Sequence, residues 1–266
     1  FPNLHPVFQP LADKSDVFSI AEAARTDALE FGDGKLMLGK MTPLNEVTWP
    51  NIQERMGRDL FLEKLTHSDL ISFVNWTMVP HMSEIWEAIL DEGILPDRAM
   101  NRTGFFDLCD PAKRKNDDLL AAMKLLGRFR KYLKVILGLN EKEAMELAEL
   151  FGIAEGANTP EGRCQLTRQL FDQLDVDVLV IHPVAYALAV TKDETVWVPG
   201  PFVEKPVITT GAGDHFNAGF CLGQLLGLTP TMSLNLGVSS SGHYVRSGKS
   251  PSIKNLEELL REWPSR

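Results

Sequence analysis

The sequence predicts an α/β fold in which a mostly parallel sheet is covered by helices on both faces. Three observations carry this. From Leu70 onward, short apolar runs alternate with helical patterns of ten or more residues, the sign of strand–helix–strand crossovers and so of parallel strands. The runs read as buried strands, as in Leu70-Ile71-Ser72-Phe73-Val74 and Val178-Leu179-Val180-Ile181. The composition, 44% hydrophobic and 24% charged over 266 residues, is that of a globular chain long enough to bury a core without staples.

Taken in order, residues 26–31 and 35–38 flank Gly32-Asp33-Gly34 and predict a β-hairpin. Thr48-Trp49-Pro50 opens a short helix that should stop near Gly57. A strand follows at 70–74, then a helix at 81–91 with Ile85, Trp86 and Ile89 at helical spacing, and a strand at 105–109. A helix at 117–130 precedes the strand 133–137, and helices at 140–151 and 161–174 precede the strand 178–181. Runs at 187–191 and 195–198 predict an antiparallel pair, and the last helices are expected at 213–226, at 232–245 and after Asn255. In such sheets a ligand sits beyond the carboxyl ends of the strands.

Lys plus Arg number 27 against 36 Asp plus Glu, a net charge of −9. That disfavours nucleic acid and anionic membranes as partners while leaving room for a local anion site. Cys109, Cys164 and Cys221 are odd in number and far apart, which predicts reduced thiols in a cytoplasmic protein rather than a disulfide framework or zinc site. The longest apolar stretch, 176–190, is broken by Asp177, His182 and Pro183, too short and interrupted to span a bilayer. No basic and then apolar leader opens the chain, which predicts no signal peptide. It begins on Phe1 within a Pro-rich phrase, so further sequence upstream is expected.

The most informative phrase is Thr209-Thr210-Gly211-Ala212-Gly213-Asp214-His215-Phe216, leading straight into a helix. Glycines before a helix let backbone N–H groups converge on an anion, aided by the helix dipole, and Asp214 can accept a proton from an attacking hydroxyl. An isolated Gly-x-Gly-Asp is as readily a turn with a first-turn carboxylate. Asn140 with Glu143, after the strand ending at Leu137, has the spacing of a helix capping box.

With its preceding threonines and the following Phe216, Ala218, Gly219 and Phe220, the first phrase resembles the C-terminal signature of the ribokinase-like, or PfkB, carbohydrate kinases. Asn140 and Glu143 resemble that family's Asn-x-x-Glu, about 70 residues upstream of the glycine phrase. A weaker likeness is Phe106-Asp107-Leu108-Cys109-Asp110-Pro111, a strand end with Asp-Pro and then Lys113 and Arg114. The resemblance implies a ribokinase-like three-layer α/β/α fold, residues 1–266 forming one kinase domain incomplete at its N-terminus, with the hairpin 26–38 as a small lid. It implies transfer of the terminal phosphate of ATP, with Mg2+, to a hydroxyl of a sugar or sugar-like alcohol. Thr210, Gly211, Ala212 and Gly213 then bind phosphate, Asp214 is the general base, and Asn140 and Glu143 organise the nucleotide and, through water, the magnesium. Asn75 and Asp110 fall at strand ends near the sugar. The family's exposed lid often dimerises, which makes a homodimer the implied assembly.

Two departures keep other functions in view. The family's opening strand with an Asp and its Gly-Gly-x-x-x-Asn stretch are not found in this chain, and His182-Pro183-Val184-Ala185-Tyr186-Ala187 replaces a Thr-x-Gly-x-x-Gly turn at the nucleotide. The latter is similar to ADP-dependent sugar kinases of the same superfamily. A degenerate, non-catalytic kinase fold that binds a metabolite is the other alternative. Ser247-Gly248-Lys249-Ser250 imitates a P-loop ending, but a helix and not a strand precedes it. The six histidines show no metal spacing, and His215 reads as a solvated helix residue.

Overall fold

The computed structural model describes residues 4–31, 33–92 and 102–263. The chain forms two compact units, Phe1–Ser68 with Asn75–Pro96, and Asp69–Val74 with Asp97–Arg266.

In the first unit a 3-10 turn (Pro6–Phe8) runs into the short helix α1 (Gln9–Ala12). The predicted hairpin is present as β1 (Arg25–Phe31) and β2 (Gly34–Lys40), antiparallel from Arg25↔Lys40 to Phe31↔Gly34. It is a sheet of its own, with Leu29, Phe31, Leu36, Met37 and Leu38 exposed. Thr48 caps α2 (Trp49–Ile52) by accepting the Asn51 amide at 3.3 Å. The helical path does not stop at Gly57, as the sequence suggested. Residues Gln53–Gly57 widen into a π turn and α3 (Arg58–His67) follows. Gly57 lies at φ +92, a conformation open to glycine without penalty, so it bends the chain instead of ending it. In α4 (Met82–Asp91) Ile85, Trp86, Ile89 and Leu90 are buried. Just past its end, Glu92 accepts from Trp49 Nε1 at 2.7 Å and from Arg58 Nη2 at 2.8 Å, which ties α2 and α3 to α4.

The second unit holds the six-stranded sheet. Strands β3 (Leu70–Phe73), β4 (Thr103–Asp107), β5 (Lys134–Leu139) and β6 (Val178–Ile181) are parallel and lie side by side in chain order. The pair β7 (Tyr186–Thr191) and β8 (Thr195–Pro199) then extends the sheet antiparallel, as the close spacing of the two runs predicted. Helix α5 (Asn116–Phe129) connects β4 to β5, and α6 (Glu141–Leu150) and α7 (Pro160–Gln173) connect β5 to β6. The chain closes with α8 (Ala212–Leu225), α9 (Pro230–Ser247) and α10 (Ile253–Glu262).

Alternation along the strands assigns the two faces. Phe105, Ile136, Val178, Val180, Ala187 and Ala189 pack with Phe216, Phe220, Leu234 and Val238 of α8 and α9. Phe106 faces the other way, stacked on Phe73 at 5.2 Å and against Phe129 of α5 at 5.2 Å. Helices α8 and α9 meet at glycines: a Cβ on Gly219 would stand 2.6 Å from the Leu236 carbonyl oxygen, and one on Gly223 2.6 Å from Ser233 Oγ. The strand expected at 105–109 instead ends at Asp107, because Cys109 and Asp110 take φ values of 61 and 63, which no strand accommodates. Gly248 is the left-handed C-cap of α9 at φ 67, so the Ser247–Ser250 phrase is a helix-ending turn. The four parallel strands all finish on one edge, at Phe73, Asp107, Leu139 and Ile181.

Candidate active site

At that edge α8 begins on Gly211, at φ 91 with no side-chain cap. The first amides of a helix have no intrahelical acceptor. Ala212 N–H turns back to the Thr209 carbonyl at 3.0 Å. The next two, Gly213 and Asp214, have no acceptor among the described residues. Two amides therefore point out of a helix N-terminus, where the dipole adds positive potential. The exposed Asp214 carboxylate stands on the same turn.

The start of α6 is built differently. Asn140 Oδ1 accepts the Glu143 amide at 3.0 Å and Glu143 Oε2 accepts the Asn140 amide at 2.9 Å, a complete capping box. The other oxygen, Oε1, accepts the Asp110 amide at 2.8 Å. Glu143 is 5% exposed and holds two backbone donors, one from its own helix and one from the loop after β4. Asp110 is turned outward to Lys142 at 2.9 Å and Lys113 at 3.0 Å, and these hydrogen bonds, Lys142 first, hold its carboxyl below the ordinary range.

Between these helix starts lies Asp107, the last residue of β4. Burial, then the charges of Glu143 and Asp214, push its pKa up to about 6. Its Oδ2 accepts from Asn217 Nδ2 at 2.8 Å, while Asn217 Oδ1 is buried without a partner among the described residues. Neither residue was singled out from the sequence. The available signal was helical spacing: Asn217 lies three positions after Asp214, on the same face of α8. Among the described residues, no three His, Cys, Asp or Glu side chains are arranged to hold a metal by themselves. Crowded carboxylates beside vacant amides suit a hard cation that keeps its waters and takes phosphate oxygens, and do not suit a caged one.

A cavity of about 320 Å3 opens beside the α8 start, lined by Asn140, His182, Pro183, Phe202, Ala212 and Gly213 among others. The structure thus brings Asn140 to the glycine phrase. The His182 ring packs tilted on Phe216 at 4.9 Å, and a Cβ on Gly213 would stand 3.2 Å from its Cε1. Burial pushes the His182 pKa down to about 4, so the imidazole is neutral near pH 7. Asp214 lines a separate groove of about 380 Å3 with Ser72, Val74, Phe105 and Asn217. Asn75 belongs to the first unit. It lies at φ 69 with Oδ1 buried and unpartnered among the described residues.

The model of the prokaryotic ketohexokinase family matches residues 2–263. The chain belongs to that family. A curated relative, the ketohexokinase of Haloferax volcanii, is 30% identical over 254 residues. The match covers 94% of this chain and 66% of the relative, so the chain spans just under two thirds of that protein's length. Among solved structures, the ribokinase of Thermotoga maritima matches with a TM-score of 0.58 at 22% identity, over 91% of this chain and 70% of that one. The Arabidopsis thaliana ribokinase complexed with ribose and ATP matches with a TM-score of 0.65 at 17% identity, again over 91% and 70%. These likenesses show the ribokinase fold, as the glycine phrase implied. Among the described residues, no helix is long and apolar enough to cross a membrane.

Proposed function

We propose that this chain is a carbohydrate kinase that transfers the terminal phosphoryl group of ATP to a hydroxyl of a ketohexose. The carrying observation is the start of α8, where two vacant amides and an exposed carboxylate share one helical turn. Phosphoryl transfer needs in-line positioning and charge stabilisation more than covalent help. The Gly213 and Asp214 amides hold the phosphate oxygens, and Thr210 and Gly211 form the approach to them. The Asp214 carboxylate accepts the sugar hydroxyl's proton as its oxygen bonds to phosphorus and the bond from phosphorus to the departing ADP breaks. The groove that Asp214 shares with Ser72 and Asn217 receives the acceptor, and the cavity bearing Asn140 and His182 receives the nucleotide. Asp110, already paired to two lysines, anchors its loop.

Mg2+, when bound, offsets the phosphate charge. Asp107, Glu143 and Asn140 would hold it through water, and its positive charge would favour the charged form of Asp107, whose pKa burial first, and then the charges of Glu143 and Asp214, push up. The three separated free cysteines support a reducing compartment such as the cytoplasm. A second reading, ADP as donor, rests on His182 and Pro183 standing at the cavity where related kinases carry a glycine turn.

The test is donor consumption by the chain with ATP or ADP against a panel of ketohexoses, ribose and nucleosides. Turnover is expected with ATP and a ketohexose. Turnover with ADP alone would replace the donor. None with any pair would make the chain a non-catalytic binder.

A further inference from the structure

The glycine phrase has a second side. Its amides face the proposed phosphate site, but its carbonyls are gripped from behind. Tyr244 of α9 donates its hydroxyl to the Thr210 carbonyl at 3.0 Å. Its ring lies against Gly211, where an added Cβ would stand 3.2 Å from the phenol oxygen. The same ring stacks on the His215 imidazole, centroids 3.7 Å apart and planes 12° from parallel. His215 Nδ1 is 2.8 Å from the Gly211 carbonyl, which can only accept, so Nδ1 carries the proton. In the neutral ring Nε2 then accepts from Ser250 Oγ at 3.0 Å. His215 is therefore half-buried and fixed on three sides, not the solvated helix residue that the sequence suggested.

We infer that Tyr244 and His215 are positioning residues that lock the two peptide planes flanking Gly211, so that the Gly213 and Asp214 amides are already aimed when a phosphate group arrives. This rests on the phosphate-binding role proposed above for the α8 start.

The argument runs through glycine's freedom. Gly211 lies at φ 91 with no side-chain cap, and a glycine joining two unheld planes swivels more than any other residue. Here the 210–211 plane is held at its oxygen by Tyr244. The 211–212 plane is held at its oxygen by His215 twice, through Nδ1 and through its backbone amide at 3.1 Å. With both planes fixed, Gly211 has no free torsion left, and the following amides keep one direction. Tyr244 is itself firmly mounted, because α9 packs on α8 at glycine-to-backbone distance. Donors aimed in advance do not have to reorganise when charge develops, the condition under which such donors stabilise a transferring group most.

The experiment compares Tyr244→Phe, His215→Leu and His215→Asn with the parent in three measurements: affinity for ATP, affinity for adenosine, and amide hydrogen exchange across residues 209–214. Tyr244→Phe keeps the ring stack and removes only the hydroxyl. His215→Asn keeps a donor to the Gly211 carbonyl, and His215→Leu removes it. Expected are ATP affinities lower by on the order of tenfold for Tyr244→Phe and His215→Leu, scaled to one lost hydrogen bond. Adenosine affinity should be unchanged, exchange at 209–214 faster, and His215→Asn nearer the parent than His215→Leu. Parent-like ATP affinity and exchange in Tyr244→Phe would overturn the inference. So would equal losses for ATP and adenosine with a lowered melting temperature, which mark a merely structural ring. A parent protein that binds ATP no better than adenosine would instead overturn the phosphate-binding reading, and the exchange measurement would still decide whether the loop is locked.

Discussion

Two helices begin at the same sheet edge and treat their first amides in opposite ways. At α6, Asn140 and Glu143 close the helix end with a reciprocal pair of hydrogen bonds. At α8, Gly211 brings no side chain, and the Gly213 and Asp214 amides stay vacant. A cap at an exposed helix start contributes about 1 kcal/mol. Both starts border the same cavity, which Asn140 and Gly213 line alike, but at the start that forgoes the cap two amides stay available for a ligand. The contrast separates a helix start built for stability from one kept available for a ligand.

The sharpest way to break this contrast is Asp214→Asn. It keeps the size and most hydrogen bonding but removes the base, so turnover should fall by on the order of 10²–10⁴ while nucleotide affinity changes little. Single-turnover rates measure it, and parent-like chemistry would move the base elsewhere. Glu143→Gln probes the closed end. A glutamine offers one carbonyl oxygen where two amides now bind, so one donor loses its partner at a cost of about 1–3 kcal/mol. Thermal denaturation should show a melting temperature lower by roughly a few degrees. If Glu143 also steadies the cation's water, the magnesium needed for half-maximal rate rises as well. An unchanged metal requirement leaves Glu143 as a cap alone.

The smallest effect belongs to Asp107, lying between the two helices. Its folded pKa of about 6 stands above the ordinary carboxylate value of 3.8. Between these values the folded chain holds the proton more tightly than the unfolded one, so this group's contribution to stability falls as pH rises from about 4 to 6. Asp107→Asn keeps the acceptor for Asn217 and removes the charge. The variant should be more stable than the parent by about 1–2 kcal/mol above pH 6, with the difference vanishing below pH 4. Denaturant titrations at pH 4 and pH 7.5 read this directly, and an equal difference at both would refute the charge argument.

Much of the fold was legible because its signals are local. The alternation of apolar runs with helical patterns marks the crossovers, and Gly32-Asp33-Gly34 marks the hairpin. Gly57 misled because the residue that ends a helix is also the one that lets a helical path bend. Cys109 and Asp110 gave no warning of their left-handed backbone, since neither residue type demands it. At the site, the phrase around Asp214 was readable as contiguous sequence. The Asp107–Asn217 bond joins residues 110 positions apart, and the Tyr244–His215 stack exists only because α9 lies on α8. Neither has a pattern in one dimension.

The two oxygens of Glu143 also order events in time. Its bond to Asn140 spans three residues and can form as soon as α6 does. Its bond to the Asp110 amide spans 33 residues and needs β4 already paired with β5, so it bears a loop-closure cost the first does not. Contacts of larger sequence separation form more slowly. On loop-closure entropy alone, the loop after β4 is expected to dock onto an α6 end that is already formed.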